Sequence, residues 1–529
     1  MNRKEFFKQQ KELLFVEKLY EKILHELYQE LNRLLNSNLS KRGWRILIGP
    51  WLNRFIAVSV DRIRGKKLSN NKKNNLKNLI CSDLSEFTLN TQDQNWNQYF
   101  ISRLKNAKKR KANNLKHKLN FWQIHHNYNL KIKLKNFLLY FLVKIFCRFN
   151  NFLFYKPYLG KSFKIFKFFW NLKEVPFFYN LYKEKNYKFE FDNKLRKQIN
   201  INSDYLSKEE KIIKSVLIEC IPTFYIEGFN ILLKELEKSV FPKEKKVIFT
   251  GSLLKDNLFK FWVAHNIDIG GKLVFKQHGS NYGQLRYLDQ EKHEIAISDK
   301  FFTNGWRGNE KKIIPSCNFQ AYGRKKIKRK LNDKILIVSG DLRKFKTNNI
   351  IFDKNYKLEI KLIENLLSKI NYKIRKNISY KSHPLDSKNN YYKEKQLNKK
   401  FKDIKFLKKN ISLINIYKNF NLVIFLYNST DFLHLVDNKI PSIFLINKNF
   451  LEFLNEESKK DFQKLKKGKI FFDDINILSE HINKKIDFSN WWESSNALNI
   501  RKKFRDKYSN TSDENFNNSL KILKELRNS

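Results

Sequence analysis

Beyond residue 245 short apolar runs alternate with helical stretches, and this alternation constrains the fold more than any other feature of the chain. Residues 246–250 (Lys-Val-Ile-Phe-Thr) read as a strand, 256–265 as a helix and 272–276 as the next strand. A second series starts after the Tyr322-Gly323 break and a basic linker at 324–330. It reads as strand 335–338, helix 355–370, strand 377–381, and strands 422–426 and 442–446 around a short helix. Strand–helix–strand order implies parallel pairing, because only a crossover returns the chain to the same end of a sheet. Two series joined by a linker therefore predict two doubly wound, Rossmann-type α/β domains facing across a cleft, with ligands at the C-terminal strand ends.

The flanks read differently. Val16, Leu19, Ile23, Leu27, Leu31 and Leu34 recur at helical spacing and predict a helix over 4–35. Residues 43–51, with Trp44 and Trp51 around Gly49-Pro50, read as a packed corner before an apolar run at 55–60, and 496–526 read as one terminal helix. The expected division is a domain over 1–328 with an N-terminal helical extension, a second over 329–490, and a C-terminal helix over 491–529.

Charge narrows the partners less than its size suggests. Lys and Arg number 106 against 52 Asp and Glu, a formal charge of +54. Such a surplus attracts phosphate, whether of a nucleotide, a lipid surface or nucleic acid. A single Met, 15 Gly and 8 Pro among 529 residues also fit an AT-rich coding bias that spreads lysine over any surface. The basic run at 105–118 reads as a solvated face. Phenylalanine and lysine interleave over 130–178, which suits either an anionic membrane surface or a buried helix pair with snorkelling lysines. No stacking platform or recognition-helix motif supports a nucleic-acid-binding protein. Cys81, Cys147, Cys220 and Cys317 have neither zinc nor disulfide-framework spacing, as expected in a reducing compartment. No apolar leader opens the chain, and the greasy stretch 136–149 is broken by Lys144 and falls short of the ~20 residues of a span. The expected location is cytoplasmic, with the inner face of the membrane as the candidate surface.

Dinucleotide GxGxxG, Walker and HExxH motifs are all missing, as is any Asp-x-Asp pair for a nucleotide-bound metal. Candidate chemistry sits instead at strand ends. Strand 272–276 empties into Gln277-His278-Gly279-Ser280-Asn281-Tyr282-Gly283. A neutral His278 on that turn takes a proton from an attacking hydroxyl, or else is a turn histidine bonded to backbone. Strand 377–381 ends in Ser382-His383-Pro384, where proline holds the histidine extended and projects its ring from the strand end, suited to a phosphate or to no role. Strand 422–426 runs into Tyr427-Asn428-Ser429-Thr430-Asp431, whose hydroxyls either cap a helix or join its amides around an anion.

These segments together resemble the GT-B glycosyltransferase architecture. The chain is similar to the bacterial sialyltransferases, capsule Kdo transferases and teichoic-acid polymerases that use CMP- or CDP-activated donors. It resembles more closely a family of transferases of O-antigen and surface-carbohydrate clusters, through residues 14–20, 44–51, 277–283, 291–299, Gly305-Trp306, 427–430 with Pro441, and Trp491-Trp492. The resemblance implies catalytic roles for His278, which activates the acceptor, and His383, which meets the donor phosphate. It implies nucleotide or phosphate contacts for Gln277, Gly279, Ser382, Ser429, Thr430 and His434. His434 stands where a glutamate that holds the donor ribose is usual, Gly279-Ser280 replaces a double glycine, and Asn304 replaces a tryptophan. The implied function is metal-independent transfer of a sugar from a nucleotide-sugar donor to a surface-polysaccharide or lipid-linked acceptor, with no resident cofactor. A CDP-alcohol-type glycerophosphotransferase on the same scaffold is the alternative.

Overall fold

The computed structural model describes residues 3–65, 79–106, 141–142, 145, 150–160, 164–176, 187, 189–202, 207–239, 241–253, 256–324, 326–327, 330, 332–340, 345, 356–383, 393–408 and 411–484, together with 487–529. The basic run at 107–118, residues 130–140, Cys147 and Pro384 lie outside them.

Two parallel sheets form the molecule, in a GT-B-like α/β arrangement. The first has the order β1 (Phe152–Tyr155), β2 (Val247–Thr250), β3 (Lys272–Lys276), β4 (Lys300–Phe302), β5 (Ile313–Ile314). The second contains β6 (Ile335–Val338), β7 (Ile378–Lys381), β8 (Lys405–Phe406), β9 (Leu422–Phe425), β10 (Ser442–Leu445) and β11 (Phe471–Phe472), in the order β11-β10-β9-β6-β7-β8. That is the doubly wound order, and the direction of winding reverses between β6 and β9, where a crevice opens at the strand ends.

Both faces of each sheet are covered, which is why these strands are apolar at nearly every position. Leu153, Tyr155, Ile248, Leu273 and Phe275 pack with the N-terminal helices. Their alternates Phe152, Phe154, Val247, Phe249 and Val274 pack on the helix Lys164–Leu172 and on Phe516, Leu520 and Leu523 near the C-terminus. In the second sheet Ile335, Ile337, Ile378 and Ile424 face the helix Tyr356–Lys369. The opposite face, with Leu336, Val338, Val423 and Phe425, belongs to the same apolar cluster as the first domain, so one core runs through both.

Three local expectations are corrected. Residues 43–51 are no corner: they lie within one helix, Lys41–Arg64, capped by Ser40 and carrying Pro50 inside. Burial of Trp44, Ile46, Leu47, Ile48, Trp51 and Leu52 outweighs the backbone bond that proline forfeits. The terminal segment is two helices, Ser495–Tyr508 and Asp513–Asn528, each started by its own serine cap, Ser494 and Ser512. The Phe/Lys stretch contains β1, hidden because its neighbours are equally aromatic. The last helix returns to the first domain. Phe516, fully buried, stacks on Tyr322 at 4.3 Å, and Ser519 donates to Ser316.

Phe516→Ala is expected to cost about 3–5 kcal/mol of unfolding free energy, read from urea denaturation. A loss below about 1 kcal/mol would show that the returning helix rests on the first domain without supporting it.

Candidate active site

The turn after β3 is held by its own glutamine. Gln277 is buried, its amide nitrogen donates to the Gly279 carbonyl at 2.8 Å, and its oxygen accepts from Asn304 N and Trp306 Nε1 at 2.9 and 2.8 Å. Gly283, at a φ of +67°, closes the loop against Trp306, where a methyl group would come within 2.3 Å of the indole.

His278 projects from this turn into a shell of rings. Tyr158 stacks on it at 5.2 Å and Tyr282 meets it edge-on at 5.5 Å. Tyr158 arrives from the loop after β1, and only a glycine at 251 leaves it room, since a Cβ there would lie 2.3 Å from the tyrosine ring. The Gln290 amide bonds His278 Nε2 at 3.2 Å and donates to Glu294 Oε1 at 2.9 Å. Glu294, almost fully buried, also accepts from the Tyr282 hydroxyl at 2.8 Å and lies 3.9 Å from His278 Nδ1.

Burial sets the protonation of this group. It pushes the His278 pKa down to about 4, against a smaller upward pull from the Gly251 backbone. The same burial holds the Glu294 carboxyl well above the usual carboxylate range, and Glu291 is pushed up to about 7. At neutral pH the imidazole is therefore a free base, beside a carboxyl whose ionisation burial opposes.

Across the domain junction the turn touches the start of the helix Thr430–Leu435. Ser280 N donates to Thr430 Oγ1 at 3.0 Å, and the Ser280 hydroxyl to the Asn428 carbonyl at 2.6 Å. Ser429, the helix cap, accepts from Asp431 N and donates to the Tyr427 hydroxyl, both at 3.1 Å. Gly279 faces Thr430, with ordinary contact distance to spare for a Cβ.

A cavity of about 660 Å³ occupies the crevice between β6 and β9, reaching β7. Ser382, His383, Tyr427, Asp431 and His434 line it, as do Lys381 and Arg324, which the sequence had shown only as a strand end and a basic linker. Asp431 is the one carboxylate of the lining among the described residues, and burial raises its pKa against the pull of the Tyr417 hydroxyl, Lys381 and Arg324. Burial lowers His434 to about 4, with Arg324 acting in the same direction, and its buried Nδ1 makes no hydrogen bond. The Ser382 hydroxyl donates to Glu394. Behind the lining, Lys393 Nζ bonds Ser339 Oγ at 2.7 Å and Glu359 Oε1 at 3.2 Å, a buried pair that braces the end of β6.

The structure thus gathers His383, Ser382 and His434 in one cavity and sets the His278 turn against the Asn428–Thr430 segment that borders it. Gln277, Ser429 and Thr430 already carry bonds that build the turn and the junction. Sequence reasoning missed Glu294, Gln290 and Tyr158. Gln290 and Glu294 stand one helical turn apart, a spacing that carries no signal until Tyr282 is seen beside them.

No curated protein matches the chain. Among solved structures the chain is similar to MurG of Acinetobacter baumannii, at 10% identity and a TM-score of 0.30, over 71% of this chain and 99% of that one. The model of the LIC12162 family transferases matches residues 2–523, nearly the whole length, and the chain belongs to that family.

Proposed function

We propose that the protein is a glycosyltransferase that moves a sugar from a nucleotide-activated donor, held in the cavity between β6 and β9, to an acceptor hydroxyl activated by His278. The observation that carries the reading is the junction itself: a neutral, half-buried imidazole on one domain, joined through its own turn to the rim of a predominantly cationic cavity on the other. An incoming acceptor hydroxyl takes the place of the Gln290 amide on Nε2, and the imidazole receives its proton as the new carbon–oxygen bond forms. The bond from the sugar carbon to the donor phosphate breaks, and the phosphate leaves with the electron pair. Lys381 and Arg324 supply the positive charge that receives it without a metal, with the His383 ring beside them. The unpartnered His434 nitrogen offers the nucleotide a bond that a carboxylate gives elsewhere, and a CMP- or CDP-linked donor fits that reading.

We further propose that the enzyme works at the inner membrane face on a surface-polysaccharide or lipid-linked acceptor. Among the described residues no helix is long and apolar enough to cross a membrane. The helix Lys164–Leu172 buries Phe168, Phe169 and Leu172 but leaves Phe166 61% and Trp170 85% exposed, with Lys167 and Lys173 exposed beside them. Aromatic rings flanked by lysines suit the headgroup region of an anionic bilayer.

His278→Ala is expected to lower kcat on the order of 10²-fold with nucleotide affinity kept, and activity within a few-fold of the parent would remove His278 from the mechanism. Because His278 is held below its ordinary range, the acid limb of the parent's kcat/KM profile is expected near pH 4. A limb at about 6.5 would point to an ordinary, solvated histidine.

Thermal-shift screening with CMP, CDP, UDP and GDP should identify the nucleotide through a raised Tm. His383→Ala and His434→Ala should each weaken that nucleotide about tenfold, and non-additively when combined. Unchanged affinity in both would move the donor out of this cavity.

Phe166→Ser with Trp170→Ser is expected to abolish sedimentation with vesicles containing anionic lipid, and parent binding should fall with added salt. Equal sedimentation of parent and double variant would detach this helix from the membrane.

A further inference from the structure

A second cavity, of about 710 Å³, opens away from the β6–β9 crevice, between the two N-terminal helices, Arg3–Leu35 and Lys41–Arg64, and the helix Asp289–Ile297. Its wall is closest where Gly49 passes Tyr20 and His293. A methyl group on Gly49 would stand 2.8 Å from the tyrosine hydroxyl and 3.2 Å from the imidazole. Segments 14–20, 44–51 and 291–299, which carry the family resemblance, supply part of its lining.

Among the described residues six cations line it, and five of them, with Lys41 sharing Glu21 at 3.4 Å, stand beside a carboxylate, while Arg54 donates to the Thr88 hydroxyl. Arg45 pairs with Glu21 at 2.6 Å, Lys292 with Glu17 at 2.7 Å and Lys312 with Glu310 at 3.4 Å, all of them lining residues. Arg42 is answered by Asp299 at 2.7 Å. An anion entering here meets a carboxylate beside five of these six cations, whereas a neutral polyhydroxyl ligand finds donors and acceptors alternating along the wall. The contrast with the β6–β9 cavity, where among the described residues Arg324 and Lys381 face the single carboxylate of Asp431, separates the two by ligand class.

Gln290 connects this cavity to the base. It lines the cavity, and its amide bonds both His278 Nε2 and Glu294. We propose that this cavity binds a neutral, hydroxyl-rich glycan, and that on the transferase reading above this glycan is the acceptor, whose reacting hydroxyl reaches His278 by displacing Gln290. Its proton passes to Nε2 in the transfer already described.

The test uses an array of neutral and acidic (uronate-bearing and sulfated) oligosaccharides, probed with the full chain, alongside calorimetric titration with CDP. Ala296 lines the cavity from an exposed helix position, so Ala296→Trp fills the space without touching the core. Glu310→Ala, at a 58% exposed side chain, removes a rim acceptor without risk to folding. The parent is expected to bind neutral glycans. Ala296→Trp should lower that binding about tenfold or more and Glu310→Ala should weaken it, while CDP binding stays within about twofold in both. Glycan binding unchanged in both variants, or binding of acidic glycans alone, would overturn the assignment. CDP binding with no glycan signal overturns this inference and leaves the donor reading standing. Failure to bind any glycan or any of CMP, CDP, UDP and GDP overturns the transferase reading and this inference with it.

Discussion

Asn428 fixes the distance between the two halves of the chemistry. Its buried side-chain amide donates to Asn281 Oδ1 at 2.8 Å and Gln284 Oε1 at 2.5 Å, and its carbonyl takes the Ser280 hydroxyl. Asn455 and Ser458 add bonds to the Gly283 carbonyl, and Arg286 reaches the Leu454 carbonyl. A buried polar network of this kind resists partial breakage, because each group left unsatisfied loses more than its bond contributed. The loop after β3 grows from the first domain and is held by bonds to both, through Gln277 at its base and through Asn428 at its tip. His278 therefore keeps its register with the sheet that carries it and with the segment that borders the cavity.

Burial does a second service by opposing charge around the His278 turn of a very basic protein. Against a formal +54, the same desolvation lowers the His278 pKa and raises that of Glu294, disfavouring the charged form of each. Lys276, one residue before the turn, is pushed down to about 7 by burial, and its ammonium is met by the Thr303 carbonyl and Asn304 Oδ1 at 2.7 and 2.6 Å. On the proposed mechanism a proton taken by His278 appears where little positive charge opposes it, with the Glu294 carboxyl 3.9 Å away.

The second domain was legible in the sequence because its strands are separated by polar turns and amphipathic helices, so period and punctuation agree. The strand ends at His278, His383 and Thr430 followed from that reading. β1 was not legible: Phe152–Tyr155 lies among phenylalanines that form the next helix, and a short apolar run fits either state until a parallel partner is known. Pro50 misled in the opposite way, since a helix with nearly every residue of its first half buried tolerates the missing donor. At the site, Glu294 and Tyr158 become functional candidates only through contacts made by folding. Arg324 and Lys381 looked like two of 106 basic residues and are singled out by facing one cavity.

The chain crosses between domains twice, and the second crossing bears on the turn as well. Asn510 N donates to the Asn304 carbonyl, and Asn318 N to the Asn510 carbonyl, as the chain leaves the helix Ser495–Tyr508 for the first domain. Asn304 is the residue whose backbone N–H bonds Gln277 and whose side chain meets Lys276. The return of the C-terminus is thus tied to the base of the His278 turn, while Asn428 holds its tip. A turn anchored at its base to the C-terminal segment and at its tip to the second domain cannot be carried off by a rigid-body opening of the cleft without breaking one set of bonds.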